Sequence, residues 1–349
     1  MPLRSTDVSS ASVGDYRECA AAIRKGSRSF YAASWLLPPA VRRPAIGLYA
    51  FCRLSDDAID LGEGHRDAIE RLRNRLSRAG DGRPLPFAAD REMAALMRRY
   101  AIPRAVPEAL LEGLAWDAEG RTYETLGDLL DYAARVAGSV GVMMALIMGA
   151  SSPEALARAC DLGIAMQLTN IARDVGEDAK LGRLYLPKEW LRESGVDEEG
   201  LLAEPAPSEG LRIVVARLLG EAQTLYSRAR SGIARLPAGC RLAILAAALI
   251  YAEIGREVER NNWDCVNVRA RVSRWRKVQI LLGATTQFAW ARRGQPRPAL
   301  ECARFLLDAV REGPSVPARA IVPIGDWRES FIGVLGTFER LQRAERLGD

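Results

Sequence analysis

Histidine is almost absent from this chain of 349 residues, since His65 is the single one. A Ser-His-Asp hydrolase, a histidine-ligated zinc enzyme or a histidine proton shuttle would therefore depend on that one side chain. We expect His65 to lie in a loop and to have no catalytic role. Any chemistry then falls to carboxylates, arginines, tyrosines or amides.

Other features that define whole protein classes are missing as well. The six cysteines form no CxxC pair, which argues against the common zinc modules and favours free thiols in a reducing compartment. The N-terminus has no apolar signal segment. The longest apolar runs, 136–150 and 242–252, are shorter than the ~18 to 20 residues of a membrane-spanning helix. We expect a cytoplasmic protein that is soluble or peripheral to a membrane.

Helical periodicity dominates what is present. Apolar residues recur at steps of three and four, as at Leu110, Leu111 and Leu114, and no series of alternating strand-like runs occurs. Clusters of proline and glycine divide the chain into about ten or more helices. They lie at 37–39, 80–86, 203–210, 294–298 and 313–317. The pattern predicts an all-α protein, with one domain over residues 1–312 and a helical extension over 313–349 packed on it.

Three carboxylates share one stripe of the segment 49–60. At about 100° per residue, Tyr49, Arg53, Asp56 and Asp60 lie within a narrow arc, and Asp57 lies at its edge. Neighbouring carboxylates repel each other when they are unpaired. A cation bound to this stripe would relieve that repulsion.

A second stripe of oxygen ligands lies in the segment 167–178. Gln167, Asn170, Asp174 and Asp178 are spaced three, four and four residues apart, so they share one helix face. Hard oxygen ligands suit Mg²⁺ or Mn²⁺ better than zinc or copper. One such stripe alone is typical of a solvated helix face, but two together favour a metal site. They predict a cluster of ions that holds a diphosphate, with nearby arginines as bidentate donors.

These segments resemble the squalene/phytoene synthase family in residue type, order and spacing. The similarity spans about residues 21–277. It rests on the segments 27–30, 49–53, 56–60, 132–141, 167–178 and 182–187, with a weaker match at Tyr251 and 269–273. It implies a single-domain isoprenoid synthase fold, a helical bundle around a central apolar cavity.

Within this family the chain is most similar to the bacterial members that make phytoene. The resemblance implies a head-to-head condensation of two geranylgeranyl diphosphates through prephytoene diphosphate to phytoene, with release of diphosphate. The alternative is a farnesyl diphosphate enzyme that makes squalene, dehydrosqualene or presqualene diphosphate. The implied cofactor is two or three Mg²⁺ ions, with Mn²⁺ as a substitute, and no NADPH.

The resemblance also implies roles for individual residues. The implied metal ligands are Asp56, Asp57, Asp60, Asn170, Asp174 and Asp178. The implied substrate-binding residues are Ser27, Ser29, Tyr49, Arg53, Gln167, Asn170, Arg173, Arg183, Tyr185, Tyr251 and Arg269. The implied catalytic residues are Tyr49, Arg53, Asp56, Asp60, Tyr132, Asp174 and Asp178, with Tyr132 assisting a proton transfer or steadying a cation.

Several of these positions have plain structural alternatives. Ser27 would suit a helix N-cap. Tyr132 and Tyr251 would suit core tyrosines with a satisfied hydroxyl. Arg183 would suit a surface ion pair of little energetic weight.

Two further features leave alternatives open. Gly138 and Gly141 would allow close helix packing, but we expect them to make space for a prenyl chain. The pair Trp263-Asp264 stands where the family usually has tyrosine and aspartate, so the alignment of Tyr251 and Arg269 stays open.

Geranylgeranyl diphosphate is the expected partner. A C40 hydrocarbon product is insoluble in water, so we expect peripheral contact with lipid at the inner face of the membrane, aided by the basic runs 269–277 and 292–297. The resemblance implies a downstream phytoene desaturase as a further partner. The net charge of +5 would also suit a helical nucleic-acid-binding or scaffold protein. No nucleic-acid-binding motif accompanies that charge, and we expect no nucleic acid partner.

Overall fold

The computed structural model describes residues 11–26, 34–60, 65–289 and 297–314. Within these ranges the chain forms helices and no β-strand, which confirms the predicted all-α class. The α-helices are α1 (Val13–Gly26), α2 (Pro39–Asp60), α3 (His65–Gly80), α4 (Ala88–Tyr100), α5 (Ala105–Ala118), α6 (Leu126–Ala133), α7 (Ser139–Ile147), α8 (Pro153–Lys180), α9 (Lys188–Glu193), α10 (Glu198–Ala203), α11 (Glu209–Ile233), α12 (Ala238–Arg260), α13 (Arg274–Ala289) and α14 (Arg304–Glu312). A π-helical turn, Ala134–Gly138, joins α6 to α7, and a 3₁₀ turn, Glu301–Ala303, precedes α14.

Local sequence signals fix the start of several helices. Ser152 caps α8 by accepting a hydrogen bond from the Ala155 N–H at 3.3 Å, and Pro153 occupies the first helical position. Thr125 and Asp128 form a reciprocal capping box at the start of α6. Ser208 caps α11 in the same way as Ser152 caps α8. These caps set where the long helices begin, and so which residues face the bundle interior.

Helix α8 is the centre of the bundle and packs against α7, α11 and α12. The Thr169 and Tyr226 hydroxyls are hydrogen-bonded at 3.0 Å between α8 and α11. Further along, Gly232 of α11 lies against Arg158 of α8. Residue numbers therefore rise on α11 as they fall on α8, and the two helices run antiparallel.

Glycines allow the π-helical turn and α7 to lie directly on α8. A Cβ at Gly141 would lie 2.3 Å from the Ala159 carbonyl oxygen, and one at Gly163 would lie 2.2 Å from the Ala137 carbonyl oxygen. A Cβ at Gly138 would lie 2.6 Å from the Cys160 sulfur. Both glycines therefore allow close helix packing, and Gly141 also borders the apolar cavity described below, where we expected space for a prenyl chain.

The predicted breaks agree with the helix ends wherever the structure describes them. Segments 80–86 and 203–210 separate α3 from α4 and α10 from α11, and Gly313 follows the end of α14. The expectation of a loop at His65 is wrong, since His65 is the first residue of α3. The predicted extension 313–349 lies, from residue 315 onward, outside the described residues.

Two helical segments are long and apolar enough to cross a membrane by length and composition alone. They are Leu126–Ile147, with 22 residues, and α12, with 23 residues, and their most apolar windows are 56% and 33% buried. The apolar runs looked too short in the sequence because each helix continues beyond its run. Both segments pack in the bundle, and α12 also carries the buried Glu253.

Candidate active site

The first acidic face lies on the last turns of α2. Arg53 Nη2 lies 2.6 Å from Asp57 Oδ1, and Arg53 Nη1 lies 3.4 Å from Asp56 Oδ2. These side chains are 41–46% exposed, so they face an open cleft. Tyr49 packs one turn earlier against the apolar cluster between α1 and α4. Asp60 ends the helix.

The second acidic face lies on α8 and is more buried. The carboxylate of Asp174, 15% exposed, accepts a hydrogen bond from Arg173 Nε at 2.7 Å and one from Arg269 Nε at 3.0 Å. Burial raises the pKa of Tyr251, whose hydroxyl also interacts electrostatically with Arg173 and Asp174. One carboxylate, two guanidinium groups and a tyrosine therefore meet at the same point.

A tight loop after α12 delivers Arg269 to this face. The Gly176 N–H donates to the Cys265 carbonyl at 3.1 Å, and a Cβ at Gly176 would lie 2.7 Å from Val266 Cα, so only glycine permits this contact. Asp264 Oδ1 accepts hydrogen bonds from the backbone N–H groups of Val266 and Asn267 at 3.1 and 2.9 Å. Asp264 therefore holds the loop that brings Arg269 to Asp174 on α8.

Asp178 carries a strongly perturbed carboxylate. Burial and, after it, the negative charge of Asp174 raise the pKa of Asp178 to about 7. Asp117 adds to the rise, and the positive charge of Arg183 opposes it. Arg183 is thus part of this cleft rather than of a remote surface ion pair.

Asp117, on the last turn of α5, lies between the two acidic faces. Its carboxylate accepts hydrogen bonds from the Tyr132 and Tyr185 hydroxyls, each at 2.8 Å. Burial raises the pKa of Asp117 to about 6, against those two hydrogen bonds and Arg183, which lower it. The negative charge of Asp56 adds to this rise, and the negative charge of Asp117 in turn raises the pKa of Asp178. This mutual influence places both faces on one cleft.

A cluster of three packed tyrosine rings lies beneath Asp117. The ring centroids of Tyr123 and Tyr132 are 5.1 Å apart, those of Tyr132 and Tyr185 are 5.3 Å apart, and those of Tyr123 and Tyr185 are 6.2 Å apart. Tyr123 is fully buried, and its hydroxyl has no hydrogen-bond partner among the described residues. The cluster presents aromatic surface beside a charged cleft, an arrangement that stabilises cations.

An apolar cavity of about 310 Å³ continues from Gln167 and Asn170 along α8. Its lining on α8 reaches back to Ala155, a distance of about 22 Å at 1.5 Å per residue. Because α7 and α11 run antiparallel to α8, the residues just beyond their C-terminal ends, Met148 and Leu236, line the end of the cavity near Ala155. The cavity thus has a polar end at Gln167 and Asn170 and, toward Ala155, a floor that is apolar except for the buried Arg158.

The donor set fits a divalent cation. Its members are carboxylate and amide oxygens, and the raised pKa values of Asp117 and Asp178 reflect buried negative charge that a cation would stabilise. Within the described ranges, no three His, Cys, Asp or Glu side chains converge closely enough to hold an ion by themselves. This arrangement agrees with Mg²⁺, which commonly takes one or two carboxylates and completes its shell with water and substrate phosphate.

The structure brings most of the predicted site residues together. Those that line the cleft or the cavity are Arg53, Asp56, Asp57, Tyr132, Gln167, Asn170, Arg173, Asp174, Asp178, Arg183, Tyr185, Tyr251 and Arg269. Tyr49 flanks Arg53 on the side of the α1–α4 cluster. Ser27 and Ser29 lie outside the described residues, as does the side chain of Asp60.

Sequence reasoning missed Asp117 and Tyr123. A signal for Asp117 was present, since it continues the face of Leu110, Gly113 and Leu114, all of which are buried. A lone carboxylate in register with an apolar face requires a polar partner inside the protein. Nothing in the local sequence of Tyr123 marks it, because only tertiary packing stacks it on the other two rings.

Comparison with known proteins agrees with this site. The family model of squalene/phytoene synthase matches residues 23–276. The chain is 47% identical over 319 residues to the phytoene synthase of Rhodobacter capsulatus, covering 89% of this chain and 94% of that protein. It is 44% identical over 353 residues to the phytoene synthase of Cereibacter sphaeroides, covering 96% and 97%.

A solved structure of a dehydrosqualene synthase in complex with ligand has the same fold. It superposes with a TM-score of 0.72 at 32% identity, covering 79% of this chain and 97% of that one. Enzymes of this kind are prenyltransferases that act on diphosphates and generally use a divalent metal. By its matched residues, its helical fold and its relatives, the chain belongs to the squalene/phytoene synthase family.

Proposed function

We propose that the protein condenses two molecules of geranylgeranyl diphosphate head to head, through prephytoene diphosphate, to give phytoene in carotenoid biosynthesis. The relatives named phytoene synthase, at 44–47% identity over most of the chain, support this assignment. The observation that carries it is the junction of a carboxylate- and arginine-lined cleft with a long apolar cavity. That junction suits a substrate with a diphosphate at one end and a hydrocarbon chain at the other.

The charged cleft is suited to loss of diphosphate. The residues that would hold Mg²⁺, with Mn²⁺ as a substitute, are Asp56, Asp57, Asp60, Asn170, Asp174 and Asp178. When bound, the metal supplies positive charge that stabilises the diphosphate as it leaves. Arg53, Arg173 and Arg269 now pair with the cleft aspartates and can instead donate to phosphate oxygens. Positive charge placed where negative charge develops lowers the barrier to ionisation.

The cavity and the tyrosines are suited to the cation that remains. Apolar side chains such as Met144, Leu162 and Met166 line the cavity and exclude water that would capture a carbocation. The stacked rings of Tyr123, Tyr132 and Tyr185 present π-electron density beside the cleft. Tyr251 and Gln167 line the cavity at its charged end, where the prenyl chain joins its diphosphate.

A farnesyl diphosphate enzyme is the second candidate. It is favoured by the likeness to the dehydrosqualene synthase structure, at 32% identity and a TM-score of 0.72. The two candidates differ by one isoprene unit in each substrate. An isoprene unit adds about 5 Å to an extended chain, close to one helical turn along the cavity wall.

The experiment that decides is incubation of the purified protein with Mg²⁺ and either prenyl diphosphate, with and without NADPH. We expect phytoene from geranylgeranyl diphosphate, at a yield that does not depend on NADPH. A C30 hydrocarbon from farnesyl diphosphate, with no C40 product, would establish the second candidate instead. Removal of divalent metal with a chelator should abolish turnover, and added Mg²⁺ should restore it.

We further propose that the protein is cytoplasmic and touches the inner face of the membrane through α13. Trp275 and Leu282 lie on one face of this helix and are 79% and 53% exposed, and Arg271 and Arg274 are exposed beside them. A tryptophan with flanking arginines suits the interface of an anionic bilayer. Arg269 and Arg276, in the same basic run, are engaged by Asp174 and Glu253 within the protein, so the surface charge is smaller than the sequence suggested.

Vesicle sedimentation tests this surface. The wild-type protein should bind phosphatidylglycerol vesicles at low salt, and Trp275→Ser should weaken binding, because it removes the exposed ring. Ile213→Ser is the matched control, since Ile213 is 53% exposed on α11. Equal binding by the two variants would reject α13 as the contact. A membrane-bound phytoene desaturase would be the natural recipient of a product released there.

A further inference from the structure

The Asp117 carboxylate accepts hydrogen bonds from two tyrosine hydroxyls. Tyr132 donates to Oδ2 and Tyr185 to Oδ1, each at 2.8 Å, so the carboxylate bridges the two rings. A tyrosine hydroxyl has a single proton. Because each hydroxyl donates its one hydrogen bond to Asp117, the hydroxyl oxygen can only accept hydrogen bonds from other groups. The pair therefore presents lone pairs, and no acidic proton, to its surroundings.

The rings that carry these hydroxyls are fixed in place. Tyr132 is 3% exposed, stacks on Tyr185 and packs at a tilt of 38° against Tyr123. Tyr185 comes from a different part of the sequence, the loop between α8 and α9. The Asp117 carboxylate thus links α5 to α6 and to this loop by hydrogen bonds. Loss of Asp117 would free both hydroxyls to rotate their protons into the cleft.

The proposed reaction contains a step for which such oxygens are suited. After the first carbon–carbon bond forms, the carbocation must lose one particular proton, and the electron pair of that C–H bond closes the cyclopropane ring. A proton next to a carbocation is very acidic, so the position of the acceptor, more than its strength, decides which proton leaves. A misplaced acceptor, or a water molecule, gives a different product.

We propose that Asp117 is a positioning residue that orients the Tyr132 and Tyr185 hydroxyls as proton acceptors for ring closure. The substrate proton passes to a tyrosine oxygen as that tyrosine's own proton moves to the Asp117 carboxylate. The tyrosine stays neutral, the carboxylate becomes a carboxylic acid, and the proton leaves later with water or the released diphosphate. No oxidant or reductant is needed. This inference rests on the proposed function, because it assigns a step of that reaction.

The test compares Asp117→Asn with Glu112→Gln, which also removes one negative charge from α5 but lies in a partly exposed ion pair with Arg135. Asparagine keeps the size of the side chain but can accept from only one hydroxyl. We expect kcat for phytoene to fall about 100-fold or more, while KM for geranylgeranyl diphosphate stays within about threefold. Glu112→Gln should keep wild-type turnover.

Product stoichiometry separates positioning from a merely structural role. Wild-type protein should release two diphosphates for each phytoene. Asp117→Asn should release more, because ionised substrate is captured by water as prenyl alcohol instead of closing the ring. A variant that had only lost stability would lose diphosphate release and phytoene together, keep the ratio of two, and overturn the proposal.

Tyrosine variants keep the proposal testable if Asp117→Asn does not fold. Tyr132→Phe and Tyr185→Phe each remove one hydroxyl, and at least one should raise the ratio of diphosphate to phytoene. In a double-mutant cycle, adding Tyr185→Phe to Asp117→Asn should cost less than it does in the wild-type background. Full additivity, or an unchanged ratio in both tyrosine variants, would refute the role. Wild-type protein that makes no phytoene would instead refute the proposed function.

Discussion

Gly163 provides the sharpest test of how the cavity wall is held against α8. A Cβ at this position would lie 2.2 Å from the Ala137 carbonyl oxygen, 2.6 Å from the Ala137 carbonyl carbon and 3.0 Å from the Gly138 nitrogen. Ordinary contacts of a Cβ begin at 3.4 Å. All three neighbours are backbone atoms of the π-helical turn, so they cannot rotate away as a side-chain tip would. Gly163→Ala must therefore push the turn away from α8 by about 1 Å.

The cost of this displacement can be bounded. Overpacking in a closely packed core costs about 1–3 kcal/mol, and alanine in place of a helical glycine returns about 1 kcal/mol. Because the clash is with backbone atoms, we take the upper end of that cost, which leaves a net loss of up to about 2 kcal/mol in the free energy of unfolding. For a chain of 349 residues, a loss of this size should lower Tm by up to about 3 °C. Since Val136 and Ala137 of the same turn line the cavity, kcat should fall by about 10- to 100-fold.

Thermal unfolding followed by circular dichroism, together with phytoene turnover, measures both effects. Gly220→Ala is the matched control, because Gly220 also lies inside a long helix, α11, but a Cβ there meets nothing within 4 Å. That variant should gain about 0.5–1 kcal/mol of stability and keep full activity. If Gly163→Ala were as stable and as active as Gly220→Ala, the close packing of the turn on α8 would be refuted.

Three further predictions concern the cavity floor, the second acidic face and a buried ion-pair network. Ala155→Leu should fill the floor of the cavity and lower kcat/KM for geranylgeranyl diphosphate by about tenfold or more. The kcat/KM for farnesyl diphosphate should stay within about threefold of the wild-type value. Equal losses for both substrates would contradict the placement of the floor. Asp174→Asn should lower kcat by about 100-fold or more. Asp81→Asn, at an exposed turn, is the control and should keep the wild-type kcat. Comparable kcat values for the two variants would show that Asp174 has no role in the reaction. Burial raises the pKa of Glu253, but hydrogen bonds from three arginines outweigh it and bring the pKa from 4.5 to about 2. The stabilisation is therefore complete above pH 4.5 and disappears as the pH falls toward 2. The free energy of unfolding of the wild-type protein should exceed that of Glu253→Gln by about 2–3 kcal/mol near pH 7. Denaturant titrations should show this difference shrinking in acid. A difference that stays constant with pH would show that ionised Glu253 is not what stabilises the network.

The features predicted from sequence are those that depend on local spacing. The steps of three and four residues put Asn170, Asp174 and Asp178 on one face because a helix repeats every 3.6 residues. Proline and glycine clusters marked helix ends because proline lacks a backbone donor and glycine loses more conformational entropy in a helix than other residues. The family resemblance then added Arg269, whose own surroundings in sequence form only a basic run. Its contact with Asp174 joins residues 95 positions apart, which no local pattern predicts.

The features missed depend on packing between distant segments. Asp117 has no carboxylate partner at helical spacing, and its two tyrosines come from other elements. The packing role of Gly138 and Gly141 could not be predicted, because a small residue fits a ligand chain and a neighbouring helix equally well in sequence. At Gly141 the structure shows both, since this residue packs on the Ala159 carbonyl and also lines the cavity. The π-helical turn was likewise invisible, since nothing in its residues marks an extra residue in the helix.

The measurement that tests the central claim most directly is a competition between the two substrates. Purified wild-type protein is given equal concentrations of geranylgeranyl and farnesyl diphosphate with Mg²⁺ and no reductant, and the extracted hydrocarbons are identified by mass spectrometry. A charged cleft that leads into a cavity about 22 Å long predicts that C40 phytoene dominates. A predominance of C30 hydrocarbon, or no hydrocarbon at all, would contradict the account.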